Sequence, residues 1–293
     1  MKQQDVFKVI IAGFLALTMV LSVFAYFFIG PRSDYASQSN EPQTQTEKFN
    51  PELWTVNQPF NSISDALSIT PYGVVSANYV DLESMTPQMI QWTRQDISLI
   101  SEVDSLYKSN TTRLYYAGLT DGTNKSFLLL STMYPEKNDF DYIVLPNTYL
   151  GHYVLRRQDT GGINVMGTPV IYAPPNTAVE VLNIITSLNK TVTAYDQYEG
   201  LLNKVEPAPF QTINSNVSFA DQFYLGIRET NGSYERTAAY LNVNASTLKK
   251  LNLLKANSTQ KGFEQYDINR TGNYTTVRIV APDLFTLFTE EAS

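Results

Sequence analysis

The chain has 293 residues, of which 43% are hydrophobic, which is enough to bury one large core or two small ones and excludes disorder throughout. Its 21 basic and 28 acidic side chains give a net charge of -7, opposite in sign to a phosphate-binding surface, so we expect no nucleic-acid partner. Cysteine is absent, which excludes disulfides, thiolate nucleophiles and cysteine-ligated metal sites.

The N-terminal region contains an apolar segment long enough to span a membrane. Residues 9–30 are 22 consecutive residues without a charge. At about 1.5 Å per helical residue they cover the roughly 30 Å hydrocarbon core of a bilayer. Lys2 and Lys8 precede this segment, so the positive-inside rule places residues 1–8 in the cytoplasm. The sequence therefore predicts a single-pass cell-membrane protein whose remaining residues are extracytoplasmic.

Cleavage of this segment as a signal peptide is the alternative interpretation. Val23 and Ala25 satisfy the small-residue preference before a cut after Ala25. The apolar segment is longer than the core of an ordinary signal peptide, and residues 24–28 carry aromatic side chains typical of the membrane interface. We therefore expect an uncleaved anchor in membrane lipid, followed by a flexible polar linker over residues 31–50.

Potential N-glycosylation sites are frequent beyond the apolar segment. Nine asparagines are followed by X-Ser or X-Thr: Asn110, Asn124, Asn189, Asn216, Asn231, Asn244, Asn257, Asn269 and Asn273. About four such sites would arise by chance in a chain of this composition. Together with the anchor and the absence of cysteine, this excess predicts a glycoprotein and favours an archaeal cell surface, with a bacterial exterior as the alternative.

A first α+β unit is expected over residues 51–160. Its elements follow the order strand (73–82), helix (Thr86 to about Tyr107), hairpin about an Asp-Gly turn (113–132) and strand (152–158). The pair Thr86-Pro87 is a typical helix start, since threonine caps the helix and proline suits its first position.

A second α+β unit is expected over residues 161–281. Its elements are a strand (168–173), a helix capped by Asn176, a hairpin about Asn231-Gly232 (222–241), a helix from Ser246 and a last strand (275–281). This βαββαβ order is the split ferredoxin-like pattern, in which two helices cover one face of an antiparallel sheet. The sequence therefore predicts an α+β fold of two ferredoxin-like (split βαβ) units with antiparallel sheets.

Few residues offer catalytic or metal-binding chemistry. His152 is the only histidine, and no nucleophile signature accompanies it, so we expect a half-buried imidazole on a strand and predict no catalytic residue. Asp139 and Asp141 resemble the Asp-x-Asp pair with which many glycosyltransferases hold a metal, which makes them weak metal candidates against the simpler interpretation of solvated turn residues. No cofactor is expected.

A glycine-containing segment follows two arginines. Gly161, Gly162 and Gly167 lie downstream of Arg156 and Arg157, but their spacing matches neither a Walker A loop nor a dinucleotide-binding loop. A Gly-Gly turn is therefore the preferred interpretation.

The C-terminal residues 282–293 contain a short apolar cluster near the chain end. Its members are Leu284, Phe285, Leu287 and Phe288. Either the cluster docks on its own domain, or it acts as a peptide-like anchor for another protein, so these residues are partner-binding candidates.

The leading hypothesis is a non-enzymatic module of the cell envelope that binds, assembles or organises other surface or membrane proteins. One alternative is a metal-assisted glycan-processing enzyme that uses Asp139 and Asp141. Another is an extracytoplasmic chaperone or foldase with an apolar groove.

Overall fold

The computed structural model describes residues 50–137, 140–157, 161–187 and 191–288. The predicted membrane segment at 9–30 and most of the predicted linker lie outside these residues. Within the described ranges, no helix combines the length and the apolar character needed to cross a membrane.

Thirteen strands form a single sheet in the described part of the chain. They are β1 (Trp54–Asn57), β2 (Val74–Asp81), β3 (Asn110–Thr120), β4 (Lys125–Tyr134), β5 (Ile143–Val144), β6 (Leu155–Arg156), β7 (Ile163–Thr168), β8 (Val170–Ala173), β9 (Phe210–Val217), β10 (Ala220–Thr230), β11 (Ser233–Leu241), β12 (Gln265–Thr271) and β13 (Tyr274–Ala281). Their order is β12-β13-β11-β10-β9-β2-β3-β4-β8-β7-β6-β5, with all these pairs antiparallel, and β1 pairs in parallel with β7.

Seven α-helices accompany the sheet in the described residues. They are α1 (Ile63–Ser68), α2 (Pro87–Asp96), α3 (Leu99–Tyr107), α4 (Pro175–Thr186), α5 (Ala194–Leu202), α6 (Ala245–Ala256) and α7 (Leu284–Phe288). Side-chain caps start several of them: the hydroxyl of Ser62 accepts from the Asp65 amide, that of Thr86 from the Met89 amide, and the Asn244 side chain from the Thr247 amide.

Helices pack against both faces of the sheet. Successive side chains of a strand point to opposite faces, so the neighbours Tyr115 and Tyr116 belong to two different cores. We call the face that carries Tyr116 the front face, which α2, α3, α6 and α7 cover, and the face that carries Tyr115 the back face, which α1, α4 and α5 cover. The architecture is therefore helix, sheet, helix in three layers.

The α+β class and the antiparallel pairing are confirmed, but the sheet is single and is not divided into two ferredoxin-like units. Strand β8, expected to open the second unit, lies between β4 and β7, and β2, β3 and β4 separate it from β9. The predicted segments 72–158 and 168–281 thus have different strand orders. Local patterns predict strands but do not select their partners, because pairing joins residues distant in sequence.

Several element boundaries differ from the predicted ones. The helix expected from Thr86 to Tyr107 is two helices, because the backbone leaves helical geometry at Ile97. Asn176 lies inside α4, whose N-cap is Pro174. The strand β9 was not predicted, since its sequence FQTINSNV has little apolar character.

Candidate functional site

A cleft of about 540 Å³ lies on the front face between α3 and the sheet. Its lining is Leu99, Val103 and Leu106 of α3, Leu129 of β4, Tyr172 of β8, and the polar residues Ser101, Glu102, Ser105 and Arg157. Ligand sites in proteins are commonly concave, mainly apolar and roughly 300 to 1,000 Å³ in volume. The cleft thus has the volume of a ligand site, and its apolar lining is buried in the front core except for Leu106, which is partly buried.

Helix α3 is held in position at both ends. Ile100, Val103 and Tyr107 are buried in the front core at helical spacing. The Asp104 carboxylate accepts from Arg94 of α2 at 2.7 Å and from the Thr111 amide of β3 at 2.6 Å. The wall of the cleft is therefore tied to both neighbouring elements.

The floor of the cleft depends on a glycine that faces Tyr172. A Cβ added at Gly162 would lie 2.4 Å from the Tyr172 ring, far inside van der Waals contact, whereas one at Gly161 would meet open space. A Cβ at Gly167 would lie 2.3 Å from the Val56 carbonyl oxygen of β1. Gly162 and Gly167 therefore serve close packing, and none of the three glycines lines the cleft.

A buried polar pair lies next to this floor. The Tyr107 hydroxyl donates to Asn164 Oδ1 at 2.6 Å, and Asn164 on β7 is paired with Tyr172 on β8. The Nδ2 of Asn164 is buried without a hydrogen-bond partner among the described residues. Burial raises the pKa of Tyr107, with a smaller contribution from Tyr172, so its hydroxyl stays a neutral donor.

The polar lining of the cleft consists of hydroxyl and charged groups. The hydroxyl groups belong to Ser101, Ser105 and Tyr172. Glu102 and Arg157 supply one negative and one positive charge. The site can therefore offer a ligand an apolar contact and, on its wall, one group of each charge.

His152 lies outside this cleft. It is buried, and its Nδ1 lies 2.8 Å from the hydroxyl of Thr55 on β1. Burial lowers the pKa of the imidazole, which favours the neutral form. The side chain thus occupies a packed position beside β1, more deeply buried than the half-buried strand position expected.

The two aspartates proposed as metal candidates are not seen together. Asp139 lies outside the described residues, and Asp141 is exposed between the buried rings of Phe140 and Tyr142. Phe140 packs edge-on against Tyr107 at 5.3 Å. Across the described ranges, no group of three or more His, Cys, Asp or Glu side chains is placed to hold a metal ion.

The C-terminal apolar cluster docks on its own domain. Leu284 and Leu287 are buried, and the Phe288 ring stacks on Trp92 of α2 with centroids 4.4 Å apart. Arg236 donates to the Leu287 carbonyl at 3.1 Å. Phe285, 68% exposed, is the member of the cluster that faces solvent.

The asparagines of the predicted glycosylation sites are exposed wherever their side chains are described. These are Asn110, Asn124, Asn231, Asn244, Asn257, Asn269 and Asn273. Asn216 lies in β9, and Asn189 falls outside the described residues.

A line of ion pairs crosses the back face and was not predicted. Glu235 of β11 is buried, with one carboxylate oxygen 2.8 Å from Arg228 of β10 and the other 2.6 Å from Arg278 of β13. Arg228 also contacts Glu206 at 2.5 Å, and Arg278 donates to Gln265 of β12 at 3.1 Å. Arg228 and Glu235 are paired directly across the hairpin that the sequence predicts, whereas Arg278 comes from β13, which no local spacing connects to them.

No family model matches the chain, and no curated protein sequence matches it. Among solved structures, crystal form III of TP0453 is similar with 11% sequence identity and a TM-score of 0.43, over 80% of this chain and 98% of that chain. Crystal form IV gives 10% identity and a TM-score of 0.44, over 76% and 96% of the two chains. Crystal form I has 11% sequence identity and a TM-score of 0.42, over 76% of this chain and 94% of that chain. Similarities this low carry no inference about function.

Proposed function

We propose that this protein is a single-pass, extracytoplasmic protein of the cell envelope that binds other surface or membrane proteins without catalysing a reaction. The cleft between α3 and the sheet carries this proposal, because it offers an apolar floor with charged groups on its wall. Residues 9–30 support the membrane anchor by their length and their lack of charge.

The partner that fits the cleft is a protein segment that presents one or two large apolar side chains. Leu99, Val103 and Leu106 form one wall, and Leu129 and Tyr172 form the floor, so an inserted apolar side chain loses contact with water on several sides. Glu102 and Arg157 suit polar or charged groups that flank such a side chain.

The test compares substitutions of two helical leucines, Leu106, which is partly buried against the front core, and Leu253, which is exposed. Leu106→Glu places a charge in the cleft, whereas Leu253→Glu places the same charge on α6, where Leu253 is 55% exposed and outside the cleft. Native electrophoresis of detergent-solubilised membranes from the producing organism measures the complex that contains each variant. We expect Leu106→Glu to release the protein from its complex and Leu253→Glu to leave the complex intact.

A second cleft variant distinguishes a loss of binding from a loss of folding in Leu106→Glu. Ser101 lines the cleft and is exposed, so Ser101→Tyr fills the cleft without burying a charge. If both cleft variants fold, as judged by their thermal unfolding, and both migrate like the wild type in a complex, the cleft is not the binding site.

A further inference from the structure

Part of the back face of the sheet is polar and exposed. Gly200 of α5 lies against the Tyr274 hydroxyl at one end of β13, and Lys204, which follows α5, lies 5.5 Å from the centroid of the same ring. Further along the same strands, Arg278 is 44% exposed on β13, and Gln265, Asp267 and Asn269 are exposed on β12. The register of β12 with β13 puts these side chains on one face. We call Gln265, Asp267, Asn269 and Arg278 the polar back patch.

Two potential glycosylation sites flank the polar back patch, and a third belongs to it. Asn231 lies in the turn between β10 and β11, Asn273 lies in the turn between β12 and β13, and Asn269 lies within β12 itself. All three side chains are exposed. They therefore occupy the two ends and the outer edge of the same group of strands.

Turn geometry explains two of these asparagines but not the third. Asn231 adopts the left-handed conformation at φ 53°, which asparagine tolerates in an Asn-Gly turn, and Asn273 follows Gly272 in another tight turn. Asn269 lies in the middle of a strand, where asparagine is disfavoured. Its side chain makes no hydrogen bond with any residue in the described ranges.

Strand β12 is also an edge of the sheet. It is seven residues long and no described strand pairs with its outer side, whereas the opposite edge strand, β5, has only two residues. An exposed edge presents unpaired amide and carbonyl groups, and proteins protect such edges against pairing with another chain. A bulky, hydrated group on Asn269 meets that need.

We propose that N-linked glycans on Asn269, Asn231 and Asn273 cover the polar back patch and the edge of β12. In each case Nδ2 of the side-chain amide forms a bond to the anomeric carbon of an oligosaccharide. The donor is a phosphate-activated oligosaccharide, whose phosphate carrier leaves as the amide loses one proton. This inference rests on the proposed extracytoplasmic location, and it assigns binding to the front-face cleft and protection to the back face.

The test uses two substitutions of the exposed Thr271, which completes the acceptor pattern of Asn269. Thr271→Ala abolishes the pattern, and the matched control Thr271→Ser keeps it. Mass spectrometry of full-length protein purified from membranes of the producing organism is expected to find Asn231, Asn269 and Asn273 modified in the wild type. Thr271→Ala should lose the mass of one glycan relative to Thr271→Ser, and sedimentation should show greater self-association for Thr271→Ala.

The two proposals fail in different ways. Protease added to intact cells reports whether the folded region is outside; a protected region overturns the proposed location together with the glycans. An accessible region with unmodified Asn269 overturns only the glycan inference. Equal self-association of the two Thr271 variants, with one glycan lost, overturns the protection of the β12 edge.

Discussion

The Tyr172 ring packs directly against Gly162 at the floor of the cleft. The Tyr172 ring occupies the space that a Cβ at position 162 would need, so packing accounts for the glycine at this position. Gly161, its neighbour in sequence, faces open space.

We expect Gly162→Ala to destabilise the protein by about 1 to 3 kcal/mol, because overpacking forces the ring or the strand to move. Gly161→Ala is the matched control and is expected within about 0.5 kcal/mol of the wild type. Urea unfolding measures both. Equal stabilities of the two variants would show that the Tyr172 ring is free to move away.

Asp96 is a half-buried carboxyl group at the C-terminal end of α2. Burial raises its pKa from 3.8 to about 6. The folded state therefore binds a proton more tightly than the unfolded state does. Stability from this group is present at low pH and is lost as pH rises through about 4 to 6.

The substitution Asp96→Asn removes the carboxylate charge whose burial lowers the stability of the folded state at neutral pH. We expect the variant to be more stable than the wild type at pH 7.5 by about 1 to 2 kcal/mol, and the gain to shrink towards pH 4. Denaturant unfolding at the two pH values measures the gain in each. A gain that is the same at both pH values would mean that Asp96 has an ordinary pKa.

At the scale of single elements, α7 shows how a five-residue helix is held by the rest of the fold. So short a helix is not stable alone, and its position comes from buried leucines and from the stacking of Phe288 on Trp92. The Asp283 side chain caps it by accepting from the amide and the hydroxyl of Thr286, each at 2.8 Å.

Leu287→Ala is expected to destabilise the protein by about 2 to 4 kcal/mol, since it opens a cavity against the front core. The matched control Phe285→Ala removes an exposed ring and is expected to change stability by less than about 0.5 kcal/mol. Thermal unfolding gives both values. Trp92 fluorescence in a Trp54→Phe background should shift to longer wavelength when α7 detaches, and an unchanged spectrum in Leu287→Ala would contradict this account.

At the scale of the whole molecule, the single sheet couples the two halves of the chain. Strand β8 inserts between β4 and β7, and β9 pairs with β2, so residues after 160 complete the sheet formed by residues before it. Both halves also supply side chains to both cores. Neither half has a complete core of its own.

We therefore expect one cooperative unfolding transition for the described region, seen at the same denaturant concentration by fluorescence and by circular dichroism. Fragments 50–160 and 161–288, produced separately, should lack sharp tertiary signals and should regain them when mixed. Two separate transitions, or a well-folded isolated fragment, would instead support two independent units.

Features that depend on neighbouring residues could be predicted from the sequence. Thr86-Pro87 begins a helix, Asn231-Gly232 turns a hairpin, and the alternation of strands with helices indicates the α+β class, because caps, turns and periodicity are set within a few residues. The folded chain alone shows which strands pair, that α3, Leu129 and Tyr172 enclose a cleft, and that Glu235 contacts Arg278. These contacts join residues far apart in sequence, and burial of apolar surface on both faces of the sheet selects among pairings that local patterns leave equivalent.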